Sequence, residues 1–331
     1  MKKQETIGID VSKATLDVWL HEGKLHKVFS NTGKGFSQLL AWVGKVSKVD
    51  FNHWAFCLEY TGMYSVPLCL FLNQNQQCFY LVSGLLVKRS LGLQRGKNDK
   101  VDAQALARFA YLHQEELKPY CLPSESITRI KQLLSFRTRL IRQCSGYKVY
   151  SQESLQVLGV SQKDLLVKYS RQLISVLRQK IQGLEEELLR CLQTDDQLKE
   201  TFQNITTIKG VGLILASTLI AHTNNFQSFE NWRQFSCYAG IAPFEHRSGS
   251  SYRGKTKIST LGNKHLKTLL SQAAATAIQY NPEMKNYYQR RINEGKNKMS
   301  TLNIIRNKLV SRIFAVAKRK SPYVDLFKVS A

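Results

Sequence analysis

Residues 5–20 read ETIGIDVSKATLDVWL, and on either side of the central Ser12-Lys13 the apolar side chains fall at every second position. A period of two belongs to a strand with one face buried, and the short polar step between the halves is a turn. The run HKVFS at 26–30 adds a third strand and closes a meander. The pattern then changes. Phe36, Leu39, Leu40 and Val43 have helical spacing in the stretch Phe36 to Val46. A buried strand follows at Trp54 to Leu58, a helix around Ser65 to Asn73, a short strand at Phe79 to Val82, and a strong helix in VDAQALARFAYLH from Val101. Strands that start as a meander and then alternate with helices predict a mixed α/β sheet.

From residue 126 the period is helical. Leu173, Leu177, Ile181, Leu184, Leu188 and Leu192 form one stripe, with Glu185 to Glu187 on other faces, as in a long amphipathic helix or coiled coil. Ile130, Leu133, Leu134, Leu140 and Ile141 are helical too, which gives a helical hairpin joining two domains, or one continuous helical core. The expected division is an α/β domain at 1–125, a helical coiled-coil spacer at 126–200 and a mainly helical domain at 201–331. In that last part ITTIKGVGLILASTLIAH places Gly210-Val211-Gly212 between two helical stretches. Such a turn is either a plain helix–helix connection or one whose backbone N–H groups hold a DNA phosphate beside Lys209. A final helix around Leu302 to Lys318 puts Leu302, Ile305, Leu309 and Ile313 on one face, with Arg306, Lys308, Arg312 and Lys318 over much of the rest.

Charge narrows the partners. With 48 Lys and Arg against 24 Asp and Glu the chain carries +24, and residues 201–331 alone hold 20 basic and 5 acidic residues. An excess of this size points to a polyanion. The stretch 244–259, FEHRSGSSYRGKTKIS, concentrates the question. Gly and Ser predict a loop. Arg247, Arg253, Lys255 and Lys257 make it a phosphate cradle, or a loop in which a serine attacks a phosphate. Seven scattered cysteines with no CxxC pair give no zinc pattern and fit reduced thiols in a cytoplasmic protein. MKKQETIGID has no apolar segment behind its lysines, so no signal peptide is expected, and the apolar run Val211 to Ala221 is too short to cross a bilayer.

Four carboxylates in this basic chain stand at the ends of elements: Asp10, Glu59, Asp99 and Asp102. Singly each has a plain explanation. Asp10 suits a turn, Glu59 an exposed strand end, and Asp99 and Asp102 the start of a helix, where acids gain about 0.3–1 kcal/mol. Together they suit a hard divalent cation such as Mg²⁺, because neighbouring strands bring Asp10 and Glu59 together and an i, i+3 step puts Asp99 and Asp102 on one helical face.

IGIDVSKATLDV, CLEYTGMYS and KNDKVDAQALA, followed by TIKGVGLILASTLIA and FSCYAGIAPFEHRSGSSYRGKTKISTLGNKHLKTLL, resemble in that order the DEDD transposases of the insertion-sequence 110 family. That family takes in bridge-RNA-guided recombinases and pilin-gene DNA invertases. The resemblance implies a RuvC-like first domain of the RNase H type, with Asp10, Glu59, Asp99 and Asp102 holding Mg²⁺. It implies a second, transposase domain whose Ser-Gly-Ser-Ser loop supplies a nucleophilic serine, matched here by Ser248, with Ser250 and Ser251 as local rivals. In that role Arg247, Arg253 and Lys255 hold the phosphate. Family members often carry an acid or a similar residue just before the serine, and here that position is Arg247. The implied partners are DNA, a non-coding bridge RNA from the same element, and further copies of the chain, up to a tetramer joined through the coiled coil. A protein-only invertase and a non-catalytic nucleic-acid-binding protein are the competing expectations. A sugar kinase, which also opens on an IGID strand, would need a second Gly-rich phosphate loop that is not evident.

Overall fold

The structure, a computed structural model, describes residues 4–60, 62–92, 98–245, 247–248, 252–254 and 256–325, with the backbone alone described at 247, 248, 252 and 253. The chain divides into two compact units, Met1–Leu122 and Pro123–Ala331.

The first unit is built on five strands: β1 (Glu5–Val11), β2 (Thr15–Leu20), β3 (Leu25–Ser30), β4 (Trp54–Glu59) and β5 (Cys78–Val82). Their order is β3-β2-β1-β4-β5; the meander pairs antiparallel, and β4 and β5 then add in parallel to β1. Helices α1 (Gly33–Val46) and α2 (Val66–Gln74) connect the strands on one side, and α3 (Gly84–Leu91) and α4 (Asp99–Leu112) complete the unit. Strand alternation sorts the two cores. Ile7, Ile9 and Val11 of β1 and Trp54, Phe56 and Leu58 of β4 pack with Phe36, Leu39, Leu68 and Leu72 of α1 and α2. Ala55 and Cys57, facing the other way, pack with Tyr80, Val87, Leu106 and Phe109 under α3 and α4. The sheet is therefore covered by helices on both faces, the mixed-sheet arrangement of a RuvC-like domain. Of these elements only α3 was not expected from the sequence. It is eight residues long and buries Val87 alone, so no period marks it.

The second unit begins with α5 (Glu125–Gln156) and α6 (Leu165–Thr194), which form an antiparallel hairpin. Arg137 pairs with Glu185 across it at 2.7 Å. Its base belongs to the main helical core: Ile127, Ile130 and Leu133 of α5 and Leu188 and Leu192 of α6 pack with the helices that follow. Away from that base the leucine stripe emerges, and Leu173 is exposed. Helices α7 (Asp196–Thr206), α8 (Leu213–Thr223) and α9 (Trp232–Tyr238) come next. Helix α8 is apolar almost all round and accordingly is buried from Leu215 to Ala221. Then come four two-residue strands, β6 (Pro243–Phe244), β7 (Arg247–Ser248), β8 (Tyr252–Arg253) and β9 (Lys257–Ile258), and α10 (Lys264–Tyr280), α11 (Pro282–Asn293) and α12 (Lys298–Arg319).

Two expectations change here. The loop at 244–259 is a narrow hairpin in which β6 pairs with β9 and β7 with β8. On α12, Ile305, Leu309 and Ile313 are buried as expected, yet Arg306 is only 4% exposed. Its Nη1 donates to Asn303 Oδ1 at 3.2 Å. Arg312 also turns inward, donating to both oxygens of Glu283 at 2.6 and 2.7 Å. Among the described residues no helix is long and apolar enough to cross a membrane, and all seven cysteines are free thiols.

Candidate active site

The acidic cluster is assembled by strand register and by one glycine. Gly8 and Asp10 point to the face of β1 opposite Ile7 and Ile9. Helix α4 lies on that face so closely that a Cβ on Gly8 would fall 2.0 Å from the Ala103 carbonyl oxygen and 2.4 Å from the Ala107 nitrogen. Only glycine admits this approach, and it fixes α4 with its first turn, Asp99 and Asp102, at the Asp10 end of the strand. The helix is capped by Asn98, whose Oδ1 accepts from Lys100 N at 3.0 Å. Asp99 and Asp102 are therefore not spent on capping, although both lie in the first turn. Glu59 arrives from β4: Ile9 pairs with Leu58, so the next residue on each strand is Asp10 and Glu59. The Glu59 carboxylate rests on Gly84 at the start of α3, where an added Cβ would meet its Oε1 at 2.1 Å.

The electrostatics record the gathering. Burial, and then the charges of Asp102, Asp99, Glu59 and Asp17, push the Asp10 carboxyl up to about 6. Asp17 is a neighbour that the sequence reading missed. It sits directly opposite Asp10 across the β1–β2 ladder and is held by His26 Nε2 at 2.9 Å. The register of the β1–β2 hairpin was the signal that would have found it. The donors are all carboxylates with no His or Cys among them, a set that fits a hard divalent cation. Among the described residues, no three such groups converge into a ready-made ligand set.

The second candidate region lies in the other unit. Ser248 pairs with Tyr252 and Arg247 with Arg253. Lys257 is exposed on β9, opposite Phe244. Ser250, Ser251 and Lys255 lie outside the described residues. The hairpin is pinched at its root. Gly240, at φ +68°, crosses Gly262 so tightly that a Cβ on Gly262 would fall 2.1 Å from the Gly240 Cα. Asn263 N donates to the Tyr238 carbonyl at 2.9 Å and Ile241 N to the Ser236 carbonyl at 3.0 Å. From α12, Asn303 and Asn307 both donate their Nδ2 to the Ile241 carbonyl, at 2.9 and 3.0 Å. These two asparagines were also missed, because a hydrophobic period leaves polar side chains unassigned.

The turn with Lys209, Gly210 and Gly212 connects α7 to α8. Lys209 is exposed, and Gly210, at φ +97°, packs against the Ala273 carbonyl. Ala273 lies about 13 Å along α10 from the start of that helix, at 1.5 Å per residue. The hairpin root meets α10 at its beginning, so the two basic regions attach at different levels of one helix.

Comparison with known proteins gives this geometry a context. A family model for DEDD transposases of the IS110 type, described as "Transposase", matches residues 7–160. A model described as "Transposase IS116/IS110/IS902 family" matches residues 202–289. The chain is 26% identical over 324 residues to the pilin gene-inverting protein of Moraxella bovis, covering 96% of this chain and 97% of that one. It is 24% identical over 257 residues to the transposase for insertion sequence element IS1111A of Coxiella burnetii, 70% of this chain and 69% of that one. It is also 33% identical over 105 residues to the transposase for insertion sequence element IS1328 of Yersinia enterocolitica, 31% of this chain and 29% of that one. A DEDD domain implies dependence on a divalent metal, and a transposase domain implies a DNA substrate. The first match covers the first unit and runs on through α5 of the second, the other match lies within the second unit, their order is the one read from the motifs, and the chain belongs to the IS110-type family of transposases.

Proposed function

We propose that this chain is a site-specific DNA recombinase that cuts and rejoins DNA through a covalent link to Ser248, with Mg²⁺ at Asp10, Glu59, Asp99 and Asp102 and with a bridge RNA choosing the sites. The observation that supports it best is the Asp10 carboxyl, pushed up to about 6 first by burial and then by the neighbouring charges of Asp102, Asp99, Glu59 and Asp17. A fold gains nothing in stability from such repulsion, and a cation relieves it. A bound Mg²⁺ would polarise phosphate oxygens.

The chain's own residues do the rest. Ser248 Oγ attacks the scissile phosphorus as its hydroxyl proton leaves. One Oγ–P bond forms, one bond from phosphorus to a deoxyribose oxygen breaks, and that oxygen departs as a hydroxyl after taking up a proton. The phosphodiester count is unchanged, so a hydroxyl from the exchanged strand can reverse the step and reseal the DNA. Arg247, Arg253 and Lys255 neutralise the charge that grows on the phosphate oxygens, and Lys257 extends the same basic surface. Lys209 and the N–H groups after Gly210 and Gly212 hold a more distant phosphate.

Strand exchange brings two duplexes together, which calls for an oligomer of this chain, up to a tetramer. The far end of the α5–α6 hairpin offers a contact for a second copy. Leu158 is 72% exposed there, and Tyr147, Tyr150, Leu166 and Tyr169 line an apolar cleft of about 510 Å³.

A plasmid carrying the element and its target sites tests the reading. Ser248→Ala and Asp10→Asn should each abolish recombination, and the purified protein should retain one discrete RNA encoded beside its gene. Recombination by Ser248→Ala would remove the serine assignment. Recombination in a defined RNA-free reaction would favour a protein-only invertase.

A further inference from the structure

The helices around the root of the serine hairpin are poor in negative charge, and the acids next to them in sequence are Glu230 before α9 and Glu245 after β6. Helix α5 contains no Asp or Glu between residues 126 and 152, while it carries Arg129, Lys131, Arg137, Arg139, Arg142 and Lys148. Helices α8, α9 and α10 contain no Asp or Glu at all. These elements pack together, α8 against both α5 and α10. Across these packed helices the charges of Lys131 of α5 and His265 of α10 act on His222 of α8, and those of Arg142 and Arg137 act on His265. Glu185 of α6 answers Arg137. Among the described residues no ion pair answers Lys131 or Arg142. His222 Nδ1 is tied to the Tyr238 hydroxyl at 2.9 Å.

The cost of this arrangement is visible in the groups themselves. Burial and then Lys131 and His265 bring His222 down to about 4, and His265 is lowered by burial, Arg142 and Arg137. Tyr238 ends the helix that enters the serine hairpin, and His265 is in the first turn of the helix that leaves it. The Gly240–Gly262 crossing draws those two ends together. The cationic surface is therefore fixed at the base of the hairpin rather than spread over the unit.

We propose that the surface formed by Lys131, Arg142, His222 and His265 binds the phosphodiester backbone of duplex DNA beside the strand presented to Ser248. It rests on the reading that this hairpin is where the DNA is cut. A line of phosphates supplies the missing negative charge, and it meets lysine and arginine as spaced point contacts.

The test is fluorescence anisotropy with full-length protein and a labelled duplex oligonucleotide, titrated over a series of KCl concentrations. Lys131→Gln and Arg142→Gln should each weaken binding and each lower the slope of log affinity against log salt by about 1. Lys131→Arg should restore the slope, which a purely structural role for the side chain does not predict. Affinity and slope equal to the parent chain's in both Gln variants would overturn the proposal. A lowered slope for a single-stranded RNA probe with none for the duplex would also overturn it, and would assign the surface to RNA. Ser248→Ala serves as the separate control. A covalent adduct in that variant would defeat the serine assignment while leaving the salt slopes to judge this surface independently.

Discussion

Asp10 is the residue on which the acidic cluster turns. Its carboxyl is raised from 3.8 to about 6, so the fold favours the protonated form. The resulting penalty is absent below about pH 4, grows as pH rises through the interval and is complete above about 6. Asp10→Asn should therefore stabilise the metal-free protein at pH 7, by about 1 kcal/mol once solvent screening of this half-buried group is allowed for. The advantage should vanish near pH 4, and added Mg²⁺ should raise the melting temperature of the parent chain more than that of the variant. Thermal melts at the two pH values check both. Gly8 makes the complementary prediction. A Cβ there collides with the backbone of α4, so Gly8→Ala should cost about 1–3 kcal/mol and displace Asp99 and Asp102 from Asp10. Denaturant melts read the first effect and DNA cleavage the second. Asp10, Glu59, Asp99 and Asp102 were legible as candidates because each stands where a strand ends or a helix begins. Asp17 was not, since its place opposite Asp10 depends on pairing register, which side-chain alternation alone leaves open.

Elements whose buried face repeats over several turns or strand steps could be read from the chain. Strand β2 and helices α4 and α12 carry such repeats, and β1 and β4 show as short apolar runs buried on both faces. Those with neither were not legible. Helix α3 buries a single side chain, and the ladders of the serine hairpin are two residues each, too short to show a period. Burial of Arg306 was hidden for another reason: its long side chain starts at the edge of the apolar stripe of α12, and only tertiary packing decides which way it goes. The hairpin is held by its root. Removing the two amides that donate to the Ile241 carbonyl, in Asn303→Ala with Asn307→Ala, should cost about 1–3 kcal/mol in stability, because the acceptor of a buried residue loses its partners. The double variant should bind duplex DNA as the parent does and form covalent adduct more slowly. Anisotropy and a denaturing gel separate those two outcomes.

At the scale of the whole molecule, the chain pairs an acidic centre on a mixed sheet with a strongly basic helical unit that carries most of the +24. Assembly and chemistry should be separable. A charge placed in the apolar end of the α5–α6 hairpin, as in Tyr169→Glu, should lower the mass seen in sedimentation and reduce recombination, leaving the melting of each unit unchanged. Mass spectrometry of the digested protein–DNA adduct shows whether Ser248 becomes covalently joined to DNA. A nucleotide phosphate is expected on Ser248, located by fragmentation within the peptide that also contains Ser250 and Ser251. A modification on any other residue, or efficient recombination with no protein-linked DNA at any time, would contradict it.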